Sequence, residues 1–394
     1  MTDLVIIADD LTGAGDSAAS LVDRASVSVV LEHSSCWPTT TVLAVDTDSR
    51  HSAPQEAANR VASVALRAHE LGATVFKKID STLRGNVAVE IQAAAEALAQ
   101  AGANPLVVVA AAFPAVGRTT VAGLVHVDGQ RLERGTHRGD ICAMLAEVGY
   151  STRIIPRGPT GAVAEAMEAA HRDKVAAVVV DATVDRDLVS VAEAAKAFPG
   201  QTLLVGSGGL VRPLRDRWQA HTKSPPVSAP IGPVLFVVGS YAKQALEQSA
   251  GLVAAGVPHV WVRPTSLTDD LVSAVRQGLA SGDVLLAPDP KLPVNRDQAP
   301  AMAHLLATVV YSARQDAPTL VATGGETARA ILGLLGVSQM AVKGELEPGV
   351  VLYGVPTLEM DLITKAGAFG DGETLLGYRT NAKQRSTTSC PDPS

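Results

Sequence analysis

Short, almost unbroken apolar runs alternate with alanine-rich amphipathic stretches along most of this chain. In its first half, the runs at Leu4–Ala8, Val27–Leu31, Thr41–Val45, Val75–Ile79, Leu106–Ala110, Thr152–Ile155, Val175–Val180 and Thr202–Val205 are rich in β-branched residues. They are too short for helices and read as strands. Strands without polar alternation need cover on both faces, which means a parallel sheet sandwiched by helices. Pro54–Leu71 is one such helix, with Ala57, Val61, Val64, Ala65 and Ala68 on a single face. Gly123–Arg131 departs from the pattern: LVHVDGQR alternates around an Asp-Gly pair and predicts a β-hairpin.

The alternation breaks at Ser224–Pro233 (SPPVSAPIGP), which carries four prolines and no periodicity. A linker is expected there. Beyond it, Val234–Val238, Val260–Val262, Val284–Ala287 and Leu320–Ala322 read as strands of a second α/β unit. The polar tail 381–394 is expected to be disordered. The fold class is therefore α/β: two α/β domains with largely parallel sheets flanked by helices, at 1–223 and 234–380.

Composition agrees with this division. A chain of 394 residues is long for one core. With 47% hydrophobic, 19% charged and 3% aromatic residues, it suits tightly packed α/β layers. The net charge of −7 offers no general attraction for nucleic acid or anionic membrane. Cys36, Cys142 and Cys390 are spaced for neither a disulfide framework nor a zinc site. The N-terminus carries no signal-peptide pattern, and the apolar runs fall far short of the ~20 residues that span a bilayer. A soluble cytoplasmic protein is expected.

Chemistry gathers where strands stop, which is where ligands bind in open parallel sheets. Residues 5–16, VIIADDLTGAGD, end a strand in Asp9 and Asp10. Paired carboxylates there could hold a substrate hydroxyl, act as a base or help to hold a metal ion, whereas a helix N-cap needs only one. The densest cluster is KKIDSTLRGN, Lys77 to Asn86. Strand alternation places Lys78 and Asp80 on one face and Lys77 on the other. Arg84 could clasp a carboxylate, Ser81 could add a hydrogen bond, and Lys77 or Lys78 could neutralise carboxylate or phosphate. A plain Asp80–Arg84 salt bridge is the competing reading. Arg118 follows a further buried strand and could add a donor, although a solvent-facing arginine fits nearly as well. His126 and His137 are weak site residues, and Asp181 and Asp185 read as strand-end and capping residues.

In the second half, Gly239-Ser240 ends a strand and Gly324-Gly325-Glu326-Thr327 joins a strand to a helix. Gly367 to Gly372 forms another turn, with Lys365 just before it. Such turns allow close backbone approach to phosphate. Neither a Walker P-loop nor a dinucleotide fingerprint is present.

Taken in order, IADDLTGAGD, KKIDSTLRGN, AFPAVGRTT, VVGS, ATGGET and ITKAGAFG resemble the four-carbon acid sugar kinase family over nearly the whole chain. The resemblance implies an N-terminal sugar-acid-binding domain, a C-terminal nucleotide-binding domain, and ATP-dependent phosphorylation of threonate, erythronate or an oxo-tetronate on the terminal hydroxyl. It implies that Asp9, Asp10, Asp80, Ser81 and Arg84 line the acid pocket, with Lys78 and Arg118 as further substrate contacts. Ser240, Gly324, Gly325, Glu326, Thr327, Gly367 and Gly370 would hold ATP. Arg84 would position the substrate carboxylate, Asp10 or Asp80 would take the hydroxyl proton, and Mg2+ would offset phosphoryl charge. Two alternatives stay open. TGAGD also matches the anion-hole motif of ribokinase-like kinases of neutral sugars, and the chain could be a binding protein without turnover. A homodimer is the default assembly.

Overall fold

The computed structural model describes residues 2–31, 36–218, 232–358 and 360–379. The chain divides into two compact units, Met1–Ser224 and Pro225–Ser394. Most of the expected linker, 224–231, and the whole of the tail, 381–394, lie outside the described residues.

In the first unit, β1 (Leu4–Ala8), β2 (Val27–Leu31), β3 (Val42–Asp46), β4 (Thr74–Lys78) and β5 (Leu106–Ala110) precede a small sheet. That sheet comprises β6 (Arg118–Val121), β7 (Leu124–Val127) and β8 (Gln130–Arg131). Strands β9 (Thr152–Ile155), β10 (Ala177–Val180) and β11 (Thr202–Gly206) complete the unit. The main sheet runs β2-β3-β1-β4-β11-β5-β10-β9, and each described pair is parallel. Helices α1 (Leu11–Ala19), α2 (Pro54–Glu70) and α3 (Val87–Gln100) follow β1, β3 and β4. The apolar face of α2 expected from the sequence is the buried one, and it joins Ile91, Ala94 and Leu98 of α3 in one core with Val5, Ile7 and Val45. Each fully buried Val, Leu or Ile contributes ~1.5–3 kcal/mol, so these crossings hold the carboxyl ends of β1, β3 and β4 in fixed register. Asp128 and Gly129 both have positive φ, as the predicted hairpin turn demands.

In the second unit, β12 (Val234–Val238), β13 (His259–Val262), β14 (Val284–Pro288) and β15 (Thr319–Thr323) are followed by β16 (Gln339–Glu347), β17 (Val350–Val355) and β18 (Met360–Lys365). The order β13-β14-β12-β15-β18 is parallel, and β18-β17-β16 is an antiparallel meander. The meander is not among the strands expected from the sequence. Strand β16 alternates buried with partly or fully exposed residues and carries two register shifts, so it has no continuous apolar run to signal it.

Candidate active site

Strand β1 ends in Asp9 and Asp10, and both carboxylates meet the guanidinium of Arg50. Arg50 Nε and Nη2 donate to Asp9 Oδ2 and Oδ1 at 2.7 and 2.9 Å, a two-pronged fork, while Nη1 donates to Asp10 Oδ2. Asp80 Oδ2 lies 3.8 Å from Nη2. One arginine thus gathers three acids from the ends of β1 and β4. The segment that carries it is pinned: Ser49 N and Arg50 N both donate to Asp9 O. Beneath it runs a buried chain in which Lys77 Nζ pairs with Glu90 at 2.8 Å, Ser49 Oγ donates to Glu90 at 2.6 Å, and Thr47 Oγ1 donates to Ala8 O. Lys77 therefore lies beneath the acid cluster, paired with Glu90.

Lys78 behaves differently from its neighbour. It is only 6% exposed, yet its ammonium makes no hydrogen bond or salt bridge among the described residues, and only its charge is felt, by Asp9 and Asp10. A Cβ on Gly13 would lie 3.1 Å from Lys78 Nζ and 2.6 Å from Asp10 Oδ1, so glycine leaves the room that keeps lysine and aspartate side by side. Asp10 also caps α1, accepting from Gly13 N at 2.8 Å. The turn after β4 is organised by Asp80, whose Oδ1 accepts from Thr82 N and Oγ1 and whose Oδ2 accepts from Arg84 Nη2 at 2.5 Å. Gly85, at φ +88, packs against Asp9 and Arg50, where a Cβ would stand 3.2 Å from Asp9 Oδ2.

The three acids differ in their hold on a proton. Burial alone would raise Asp9, but the Arg50 charge and fork outweigh it and keep Asp9 below the usual carboxylate range. Burial and then the neighbouring Asp9 charge leave Asp10 above that range despite Arg50 and Lys78. For Asp80, burial is overcome by Arg84, Arg50 and Thr82, so it stays well below. Adjacent carboxylates pushed apart in this way can take different roles in proton chemistry.

In the second unit, turns after β12, β15 and β18 converge on Ser240. A Cβ on Gly367 would fall 2.0 Å from Ser240 Oγ, and one on Gly324 would fall 3.4 Å from Ser240 Cβ. Gly239 packs against Thr327 in the same manner, with its virtual Cβ 2.0 Å from Oγ1. Gly324, at φ +100, opens the helix Gly325–Leu334, and its N–H donates to Lys365 O. The Thr323 hydroxyl beside it is fully buried and has no hydrogen-bond partner among the described residues. Lys365 Nζ donates to Ala366 O at 2.9 Å and Phe369 O at 2.8 Å, bracing the last turn. Gly370 has φ +75. Backbone brought this close at a helix N-terminus is suited to phosphate.

Both units match family models. Residues 4–214 match a sugar-binding N-terminal domain, and residues 235–375 match a nucleotide-binding C-terminal domain. A D-threonate kinase of Cupriavidus necator is 36% identical over 94% of this chain and 96% of its own length. The chain belongs to the four-carbon acid sugar kinase family. A D-threonate kinase of Bordetella bronchiseptica is 34% identical over 97% of this chain and 98% of its own. Relatives named D-erythronate kinase and 3-oxo-tetronate kinase reach 29% and 27%. A solved Salmonella typhimurium LT2 protein, provisionally described as a tRNA synthase, superposes with a TM-score of 0.81 over 97% of this chain and 99% of its own. At 21% identity that likeness shows the fold alone.

Within this kinase, Asp9, Asp10, Lys78 and Asp80 come together, with Arg84 tied to Asp80 by the salt bridge that competed with a substrate role. That bridge engages one nitrogen of a side chain that is 67% exposed. Ser81 is half-buried and Glu326 is exposed. Arg118 does not join the cluster among its recorded contacts: its partners are Val116 O at 2.8 Å and Asp128 at 3.5 Å, within its own loop and hairpin. The anion-hole likeness of TGAGD does not extend to its geometry, because Asp10 already takes the Gly13 amide. His126 contacts Leu124 O, His137 contacts Glu147, and Asp181 caps the turn at Ala122 and Gly123. Arg50 was missed from the sequence, where it sits in TDSRHS with no motif around it. Among the described residues no group of three or more metal-ligating side chains is poised for a metal, and no helix is long and apolar enough to cross a membrane.

Proposed function

We propose that this chain uses ATP to phosphorylate D-threonate on its terminal hydroxyl. Residues 1–223 form the acid-binding part and 234–380 the nucleotide-binding part. The observation that carries the reading is Lys78, a lysine only 6% exposed whose ammonium stands beside Asp10 without a hydrogen bond or salt bridge among the described residues, an arrangement that suits an anionic polyol better than a neutral sugar. D-Threonate is preferred over erythronate and 3-oxo-tetronate because two relatives named for it, at 36% and 34% identity, stand above the erythronate and oxo-tetronate kinases, while a third stands among them at 28%.

On this reading Lys78 and the exposed edge of Arg84 take the substrate carboxylate, with Ser81 nearby and Asp9 and Asp80 fixing the cations. Asp10 is the proton acceptor. Its oxygens already accept from Gly13 N and Arg50, and each keeps a second lone pair for the hydroxyl. The hydroxyl oxygen bonds to the γ-phosphorus as the bond to the β,γ-bridging oxygen breaks, ADP departs, and the proton goes to Asp10. Positioning and charge stabilisation supply most of the acceleration in such transfers. Ser240, Gly324, Gly325, Glu326, Thr327, Gly367 and Gly370 cradle ATP. With the acid oxygens engaged by arginine, Mg2+ enters with the nucleotide phosphates and is assigned no protein ligand. A cytoplasmic location, where ATP is available, suits Cys36 and Cys142, which form no disulfide.

The test is ADP release with Mg-ATP across D- and L-threonate, D- and L-erythronate, 3-oxo-tetronate and ribose, with Asp10→Asn run alongside. Turnover on D-threonate that falls ~100- to 10,000-fold in Asp10→Asn is expected. Preference for ribose would remove the acid reading, and a fully active Asp10→Asn would remove the base.

A further inference from the structure

Arg50 stands outside every motif of the sequence, yet it is the hub of the acid cluster. We propose that Arg50 is a positioning residue for proton removal: by spanning Asp9 and Asp10 it fixes the direction of the Asp10 carboxylate and keeps it ionised for the substrate hydroxyl. This rests on the reading of Asp10 as base.

The geometry supports a fixed hub. The fork on Asp9 sets the plane of the guanidinium, and the remaining nitrogen then reaches Asp10 in one orientation only. The arginine is held in place, because its own N–H donates to Asp9 O and Gly85 lies so close that a Cβ there would stand 3.4 Å from its Cα. The far oxygen of Asp10 is held by the start of α1. The carboxylate is thereby oriented from two sides.

The charges explain the second half of the proposal. Asp10 faces Asp9 from its own strand end, Arg50 from the loop after β3 and Lys78 from β4, and it interacts with Arg84 of the Asp80 turn. Lys77 acts on Asp9 from below, although its charge is matched by Glu90. With Arg50 present, Asp9, Asp10 and Asp80 are balanced by Arg50, Lys78 and Arg84. Without it, two buried carboxylates and the half-buried Asp10 share two cations, and crowded like charges in a partly desolvated site resolve by taking up a proton. Asp10, which already holds its proton most tightly of the three, is the group that takes it.

The experiment is the pH dependence of kcat/KM for D-threonate between pH 5 and 10 at saturating Mg-ATP, in wild type, Arg50→Gln, Arg50→Lys and Asp10→Asn. Arg50→Gln is expected to lose about 100-fold at pH 7 and to recover part of it on the alkaline side, its acid limb moved up by at least about one unit, with KM for ATP unchanged. Arg50→Lys keeps the charge without the fork, so its limb stays within about half a unit of wild type while kcat falls about tenfold. A pH-independent loss with an unmoved acid limb in Arg50→Gln overturns the proposal, as does wild-type kcat in Arg50→Lys. If Arg50→Gln does not fold, the kcat of Arg50→Lys decides: a tenfold fall with the limb in place supports the fixed direction of Asp10, and wild-type kcat or a limb moved by a full unit overturns it. Asp10→Asn separates the two readings: full activity there removes the base and this proposal with it. An inactive Asp10→Asn beside unmoved limbs removes this proposal only.

Discussion

The two proposed ligand corners of this kinase are built on opposite principles. The acid corner is made of fixed charge: three carboxylates, Arg50, Lys78 and Arg84, with Asp9, Asp80 and Lys78 buried and each group held by a named partner or by packing. The nucleotide corner is made of missing side chains. Gly239, Gly324 and Gly367 let three strand ends close around Ser240 and Thr327, and its one buried cation, Lys365, is turned onto carbonyls. A small polyol acid offers little surface, so recognition depends on charge placed in a dry site. A nucleotide's phosphates can be met by backbone N–H groups, and these need close approach more than charge. Removing charge should therefore damage the first corner, and adding a methyl group should damage the second.

The largest effect expected lies beneath the acid corner. Lys77→Met leaves the Glu90 carboxylate buried with only the Ser49 hydroxyl for company and should cost ~3–5 kcal/mol of stability. Denaturant unfolding measures it, and Lys77→Met combined with Glu90→Leu should recover most of the loss. If the pair behaves additively instead, the two residues are not one unit. Lys78→Met is expected to do the reverse. It removes an ammonium that has no partner among the described residues, from a side chain only 6% exposed, so stability should hold or rise, while KM for the acid increases by ~10- to 150-fold, the equivalent of a charge-assisted hydrogen bond. An equal rise in both KM values would break the division between the corners.

The complementary substitution is Gly367→Ala, whose Cβ meets Ser240 Oγ at 2.0 Å and Cβ at 2.7 Å. Overpacking of this kind costs ~1–3 kcal/mol, and about tenfold on KM for ATP is expected, with KM for the acid unchanged. Isothermal titration with a non-hydrolysable ATP analogue checks it. Unchanged affinity would show that Ser240 has room to move and that the close approach there is incidental.

How much of this was legible follows from where the signal resides. Strands β1, β12 and β15 are almost wholly apolar runs and β4 a short one that breaks into Lys77-Lys78, and ligands gather at strand ends in such sheets, so Asp9, Asp10, Asp80, Ser240 and Gly324 stand out from pattern alone. The alternation argument also separated Lys78 from Lys77 correctly: one faces Asp10 and the other the buried Glu90 of α3. Arg50 could not be found in this way. It follows β3 by a few residues, as many surface arginines follow strands, and only the parallel register of β3 on β1 brings it to Asp9. In the antiparallel meander only β16 was hidden by its pattern: its buried residues alternate with exposed ones, and two shifts break the period, whereas β17 is a continuous apolar run that was legible and was passed over. The Asp80–Arg84 bridge shows a third limit, because a local ion pair and a ligand clamp share one sequence signature.

The smallest expected effect tests the single cation of the nucleotide corner. Burial pulls the Lys365 ammonium down to about 8, and Glu347 offsets this only in part. A lysine in the unfolded chain titrates near 10.4, so between these values the unfolded state binds more protons than the folded one. Stability contributed by this group is therefore flat below about pH 8 and rises as pH increases toward the unfolded value. Lys365→Met lacks that term. The Tm difference, wild type minus variant, should grow in favour of wild type from pH 8 to 10.5 and stay constant from pH 6 to 7.5. KM for ATP should be only a few-fold higher in the variant, since the turn 366–370 loses two hydrogen bonds but keeps its glycines. The neutral amine can still donate to both carbonyls, so wild-type KM should change little across the same window. A difference in Tm that stays flat through pH 10.5 would mean that the ammonium is solvated after all, and the nucleotide corner would then hold an ordinary charge as the acid corner does.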